Sequence, residues 1–199
     1  MIEKGKVSHE PFIEILKTLE EAESANLVDW NAMNVASVDQ MNQPSSRMVL
    51  LKKISDEGLV FYTNYNSRKG KEIELNPKVA VNFWWRELKK QIRVEGFIEK
   101  ASEKDSDDYF NSRPLKSRVS AIISNQSSTI SSYEDLKNQI DNYLEQNDES
   151  SIKRPDHCGL YIVIPNAVEF WKERDNRTHE RLKYILSDDQ KWSSYLLSP

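Results

Sequence analysis

Four groups of residues have types and spacings that could do chemistry. Ser67-Arg68-Lys69 stands where a β-like run gives way to a helical one. Unpaired backbone N–H groups at a helix start, the helix dipole and two cations together favour a phosphate there, although a solvated basic turn would use the same residues. Arg177-Thr178-His179-Glu180-Arg181, if extended, has a period of two that puts Arg177, His179 and Arg181 on one face. Three cationic or potentially cationic groups so gathered require an anionic partner, either a ligand or acids on neighbouring strands. In Tyr109-Phe110-Asn111-Ser112-Arg113-Pro114-Leu115-Lys116-Ser117 the proline interrupts a helix. Such a break can aim Arg113 and nearby hydroxyls at a phosphate, though ordinary surface helix ends also look like this. Gln126-Ser127-Ser128 offers a polar triplet for hydrogen bonding, or a plain loop.

Two further groups have simpler explanations. Phe83-Trp84-Trp85, followed by Arg86, Lys89, Lys90 and Arg93, interleaves aromatics with cations as single-strand nucleic-acid binders do. A strand end with core tryptophans and a charged turn accounts for it equally. His157-Cys158 reads as a chance pair in a loop rather than an activated thiol. His9, His157 and His179 lie far apart, so no zinc-ligand spacing exists and no metal is expected.

These residues need elements to hold them. Phe12, Ile15, Leu16 and Leu19 recur at helical spacing between His9 and Ser24 and make an amphipathic opening helix. Strands are expected at Ala32 to Val38, Arg47 to Lys52 and Leu59 to Thr63, separated by turn-forming residues. A short helix over Lys71 to Leu75, capped by Asn66 or Ser67, ends at Pro77. Strands resume at Val79 to Trp84 and Gln91 to Ile98, helices at Ser102 and at Ser132 to Gln146. After a polar break, short strands are expected at Tyr161 to Ile164, Val168 to Lys172 and His179 to Ile185, with another at Lys191 to Leu197. The fold class is therefore mainly antiparallel β: a barrel with peripheral α-helices.

Bulk properties bound the rest. The 199 residues suit one domain, 1–199, with an N-terminal helix in 1–25, a helical insertion at 102–147 and C-terminal strands at 157–199. Twenty-eight Lys and Arg against 32 Asp and Glu give a net charge of −4, which implies no general polyanion surface and no nucleic-acid partner. One cysteine cannot form an internal disulfide, and the polar start Met1-Ile2-Glu3-Lys4-Gly5-Lys6 lacks the apolar core of a signal peptide. Mean hydropathy is −0.72 and no apolar run approaches the ~20 residues of a membrane span. A cytoplasmic protein with no membrane association is expected.

Taken in order, Arg47-Met48-Val49-Leu50-Leu51-Lys52, Phe61-Tyr62-Thr63-Asn64, Ser67-Arg68-Lys69, Gln91, Tyr109-Phe110-x-Ser112-Arg113-Pro114, Gln126-Ser127-Ser128, Glu169-Phe170-Trp171 and Arg177-x-His179-x-Arg181 resemble the pyridoxamine 5′-phosphate oxidase family. The resemblance runs from about Asn31 to the C-terminus. It implies an FMN-binding split β-barrel homodimer with flavin at the subunit interface. By resemblance, FMN is held by Arg47, Met48, Val49, Leu50, Leu51, Lys52, Tyr62, Thr63, Ser67, Arg68 and Lys69, the last two at its phosphate. Gln91, Gln126, Ser127, Trp171 and Arg181 complete that pocket. Lys52, Tyr109, Arg113 and Ser117 would meet the substrate phosphate. Arg177 and His179 would be catalytic, facing the pyridine ring, with Arg177 positioning the substrate and His179 supporting it.

The implied reaction oxidises pyridoxine or pyridoxamine 5′-phosphate to pyridoxal 5′-phosphate. A hydride leaves C4′ for flavin N5, and dioxygen reoxidises the flavin to give hydrogen peroxide. Departures occur at Cys158-Gly159-Leu160-Tyr161-Ile162, where the family has Trp-Gly-Gly-Tyr-Arg, at Lys172-Glu173 in place of Gln-Gly, and at Leu196 in place of the arginine of the usual Arg-Leu-x-Pro ending. They keep open an FMN oxidase of another small ring, such as a phenazine precursor; a further alternative, a non-catalytic flavin- or pyridoxal phosphate-binding protein, has no need of Arg177 and His179.

Overall fold

Alternating apolar and polar side chains on consecutive strands close a sheet on itself in the computed structural model, which describes residues 2–199. The strands are β1 (Glu3–Lys4), β2 (Ala32–Val38), β3 (Pro44–Ser55), β4 (Gly58–Asn64), β5 (Lys78–Trp85), β6 (Lys90–Lys100), β7 (Cys158–Lys172), β8 (Glu180–Leu186) and β9 (Trp192–Leu196). The helices are α1 (Glu10–Ser24), α2 (Arg68–Leu75), α3 (Glu103–Ser112), α4 (Leu115–Ile123) and α5 (Tyr133–Gln146). The ring β3-β2-β5-β6-β7-β4 returns to β3 and is antiparallel throughout. Closure removes the unpaired strand edges that an open sheet would present. β8 and β9 continue outward from β7, and β1 pairs with β3 in parallel.

Residues pointing into the ring are apolar: Ile92, Val94 and Ile98 alternate along β6 with exposed Arg93, Glu95 and Phe97. Phe61, Phe83, Leu51, Met33 and Val163 join them in one cluster, and α1 adds Phe12, Ile15 and Leu19. A smaller cluster of Phe110, Val119, Ile140 and Ile152 holds α3, α4 and α5 to one another. No helix among the described residues is long and apolar enough to cross a membrane.

Three sequence expectations change. The strands expected at Tyr161 to Ile164 and Val168 to Lys172 are one continuous strand, β7. Its one edge pairs with β6, while its other edge pairs first with β4 and then with β8. Pro165 lies at the seam between those two partners, where its missing N–H costs no ladder bond on that edge. Second, the segment before β8 is not extended: Asp175–Arg177 forms a 3-10 turn with φ of 55° at Asn176 and 61° at Arg177. The period-two argument for Arg177, His179 and Arg181 sharing a face therefore fails, because a left-handed turn breaks the alternation. Third, of the expected core tryptophans Trp85 is buried but Trp84 is half exposed.

Leu19 is fully buried where α1 covers the barrel. Leu19→Ala is expected to cost about 2–5 kcal/mol of stability by leaving a cavity. Chemical denaturation would measure it; a loss below about 1 kcal/mol would mean that α1 is not integral to the core.

Candidate functional site

The turn from β4 into α2 is built by its own side chains. Asn66 N donates to Asn64 Oδ1 at 2.8 Å, and Ser67 Oγ donates to Asn64 O at 2.6 Å. Ser67 Oγ also accepts from Gly70 N, capping α2. A Cβ at Gly70 would lie 1.9 Å from Tyr65 O, so only glycine lets the helix start this close to the turn. No acid occupies the first turn of α2. Lys69 is buried beneath it, with Nζ donating to Thr63 Oγ1 at 2.9 Å, Ser67 Oγ at 3.3 Å and Gln126 Oε1 at 2.7 Å. Burial first, then the nearby Arg47 charge, lowers the Lys69 pKa to about 8.

Arg47 and Arg68 meet on one buried carboxylate. Glu72 Oε1 accepts from Arg68 Nε at 2.8 Å, and Oε2 accepts from Arg47 Nη2, Ser37 Oγ and Ser45 Oγ. Burial alone would raise this carboxyl, but the hydrogen bonds from Ser37, Ser45, Arg68 and Arg47 outweigh it and hold the pKa at about 2. Above them opens a pocket of about 460 Å³ whose rim includes Arg68, Lys71, Gln126 and Ser127. Asp39 and Glu72 line it as well; with Glu72 engaged by Arg68 and Arg47, a concave rim carrying Arg68 and Lys71 at a helix start can take a phosphate.

A second group adjoins the first. The Tyr62 and Tyr109 rings lie 5.0 Å apart, the Arg113 guanidinium carbon is 4.8 Å from the Tyr62 ring, and Lys52 Nζ is 5.7 Å from the Tyr109 ring. Tyr62 Oη and Arg113 Nη1 are buried without a hydrogen-bond partner among the described residues. Both line a cavity of about 280 Å³ with Thr63, Gln126 and Cys158. Burial pushes the Tyr62 phenol well above its ordinary range, so it remains a neutral donor. Ser117 sits half-buried in the first turn of α4.

The remaining residues gather elsewhere. Gln91 pairs with Trp171, and Trp171 with Arg181, across β6, β7 and β8. They line a pocket of about 380 Å³ with Phe170, Leu182 and Leu196. Arg181 Nε donates to buried Glu169 at 2.8 Å, and the His179 ring lies 4.7 Å from that of Trp171. Arg177 is exposed on the preceding turn. From Gly159, opposite Thr63, to Trp171, the path along β7 is about 40 Å at the usual strand rise. Among the described residues no side-chain hydrogen bond, ion pair or ring contact joins this group to the other two.

Within Arg47 to Lys52 the side chains diverge. Arg47 turns toward α2, Lys52 toward Tyr109, and Leu51 into the core. Met48, Val49 and Leu50 line a separate groove with Trp84; Met48 is 61% and Leu50 41% exposed. Sequence reading gave no role to Glu72 or Glu169, the buried acids that hold Arg68 and Arg181. The only local signal was the i, i+4 spacing of Arg68 and Glu72.

Comparison with known proteins agrees in extent. Residues 19–147 match the family described as pyridoxamine 5′-phosphate oxidase, and residues 159–199 match the pyridoxine 5′-phosphate oxidase C-terminal dimerisation region. A pyridoxine/pyridoxamine 5′-phosphate oxidase of Nostoc is 46% identical over 98% of this chain and 91% of its own length. One from Hydrogenovibrio crunogenus is 41% identical over 100% and 92%. Among solved structures, PhzG of Burkholderia lata in complex with tetrahydrophenazine-1-carboxylic acid superposes with a TM-score of 0.89 at 26% identity, covering 98% of this chain and 100% of its own. An FMN-binding protein of Nostoc punctiforme shares the fold, with a TM-score of 0.79 at 18% identity, over 97% of this chain and 100% of its own.

Burial of the Lys69 ammonium carries a pH-dependent cost. Its folded pKa of about 8 lies below the ordinary 10.5, so the native state binds fewer protons than the unfolded chain between those values. The penalty is full below pH 8 and fades as pH rises toward 10.5. Lys69→Met is expected to raise the melting temperature of ligand-free protein at pH 7 by roughly 2–8 °C, and by less at pH 9.5. Thermal melts at the two pH values would check it; a less stable Met variant at pH 7 would contradict it.

Proposed function

Because this chain belongs to the pyridoxamine 5′-phosphate oxidase family, we propose that it oxidises pyridoxamine or pyridoxine 5′-phosphate to pyridoxal 5′-phosphate, using FMN and dioxygen and releasing hydrogen peroxide. The observation that carries this reading is the pair of buried, unpartnered donors, Arg113 Nη1 and Tyr62 Oη, in a cavity next to the Arg68 and Lys69 phosphate cradle. Two adjacent phosphate-suited pockets fit a reaction in which cofactor and substrate are both phosphate esters. Bound FMN supplies the two-electron acceptor and the route to dioxygen.

The chain's own residues bind and orient. Arg68, Lys69, Ser67 and the first N–H groups of α2 would hold the flavin phosphate, with Gln126 and Ser127 at its rim. Arg47 is engaged by Val35 O, Ser37, Ser45 and Glu72, so it braces this cradle from behind. Gln91, Trp171 and Arg181 offer an amide, an aromatic face and a cation to the flavin ring. Lys52, Tyr109, Arg113 and Ser117 would receive the substrate phosphate. Arg177 and His179 would place and polarise the pyridine ring, since orientation and charge are what the protein adds to cofactor chemistry.

Among the described residues no side-chain hydrogen bond, ion pair or ring contact joins the two flavin half-sites within a chain, and residues 159–199 match a dimerisation region. This supports a homodimer in which each flavin lies between the phosphate cradle of one protomer and the Gln91, Trp171 and Arg181 group of its partner. Exposed Met48, Leu50 and Trp84 around one groove supply apolar surface for such a contact. Of the departures at Lys172-Glu173, Glu173 is tied to Lys89 through its backbone N–H and its carboxylate, whereas Lys172 lines the pocket with Gln91, Trp171 and Arg181.

The test is the visible spectrum of FMN-loaded protein on anaerobic addition of pyridoxine 5′-phosphate. Bleaching that reverses on admitting air is expected; a persistent yellow band would refute this substrate and favour another ring. Arg177→Ala is expected to retain FMN while turnover falls roughly tenfold or more. Unchanged turnover would remove Arg177 from its role.

A further inference from the structure

We infer that Glu72 is the positioning residue that aims Arg68 at the flavin phosphate, an inference that rests on the FMN site proposed above. Its carboxylate is 4% exposed and joins three elements: α2 through its own backbone and Arg68, β2 through Ser37, and β3 through Ser45 and Arg47. A carboxylate so far from water is retained only when its oxygens are well supplied with donors, and here it has four.

What distinguishes Glu72 from an ordinary structural acid is which Arg68 nitrogen it takes. Glu72 accepts from Nε alone, at 2.8 Å. Arg68 is otherwise more than half exposed at the rim of the pocket, and its terminal nitrogens have no acceptor among the described residues. A guanidinium held by Nε presents Nη1 and Nη2 as a preset fork, the geometry that binds phosphate oxygens bidentately. Without the anchor the arginine would have to surrender rotamer freedom on each binding event. Arg47 cannot replace it, because both of its terminal nitrogens are spent on Val35 O, Ser37, Ser45 and Glu72.

Glu72 also sets the charge of the cradle. Arg47, Arg68 and Lys69 oppose this single carboxylate, leaving two net positive charges. A phosphate monoester above its second pKa of about 6 carries two negative charges, so the cradle matches it. Positioning and charge make opposite claims about Glu72→Gln. Neutralising the acid strengthens the electrostatic pull on an anion, whereas losing the anchor weakens binding.

The experiment titrates FMN into apoprotein and follows quenching of flavin fluorescence for wild type, Glu72→Gln, Arg68→Ala and the double variant, with a thermal melt of each apoprotein. The expected result is that Glu72→Gln weakens FMN binding about tenfold or more in the wild-type background and by less than about twofold when Arg68 is already Ala. Equal or tighter binding by folded Glu72→Gln would overturn the inference and leave Glu72 as a charge balance. A loss of the same size in both backgrounds would overturn it too, since Glu72 would then act on the fold rather than through Arg68. Should Glu72→Gln fail to fold, Glu72→Asp takes its place in the same comparison, keeping the charge while shortening the reach by one methylene. Wild-type apoprotein that binds no FMN at all would refute the proposed function itself, a result distinct from either of these.

Discussion

Barrel closure depends on β7, which gives one edge to β6 and divides the other between β4 and β8. A strand can change partners along one edge only where the ladder is interrupted, and Pro165 provides that interruption. The ladder with β6 shifts register at Glu95/Gly96, with Asn166 of β7 as the extra residue, and a side chain on Gly96 would strike Ile164 O at 2.1 Å. The same strand fixes both ends of the functional surface. Its start aligns with Thr63 beside the phosphate cradle, and its end carries Trp171 between Gln91 and Arg181.

Each half-site repeats one electrostatic device. A buried glutamate, Glu72 in one and Glu169 in the other, holds an arginine by Nε. Burying a carboxylate is costly unless it is paired and hydrogen-bonded, and an arginine held by one nitrogen still has others to offer. Lys69 shows the opposite economy: a buried ammonium with neutral oxygen partners and a depressed pKa, a destabilised group whose natural complement is an anion. Strain of this kind belongs at a binding site rather than in a scaffold.

Local physics made most elements legible. The spacing of Phe12, Ile15 and Leu19 marked α1, alternation from Gln91 to Ile98 marked β6, and Ser67 announced the start of α2. What escaped was set by distant contacts. Pro165-Asn166 reads locally as a break, and only the partner change from β4 to β8 explains a strand running through it. The positive φ of Asn176 and Arg177 is a turn that period-two reading cannot anticipate. Gln126 reaches Lys69 across 57 residues, and Ser37 reaches Glu72 across 35, so neither pair leaves a sequence signature. Family resemblance named the residues expected to hold the flavin, but the roles of the buried acids behind them emerged only from the fold.

The central claim is that a complete flavin site takes its phosphate cradle from one chain and its ring-facing residues from another. It is tested by mixing two variants, Arg68→Ala/Lys69→Ala and Trp171→Ala/Arg181→Ala, each expected to lose FMN alone, and counting bound flavin after the two are unfolded and refolded together. Random pairing should restore about a quarter of the wild-type sites, because half the dimers are mixed and each of those holds one intact site. Mixed protein that stays empty while both variants remain folded and dimeric would contradict the shared site and place the whole flavin pocket within one chain.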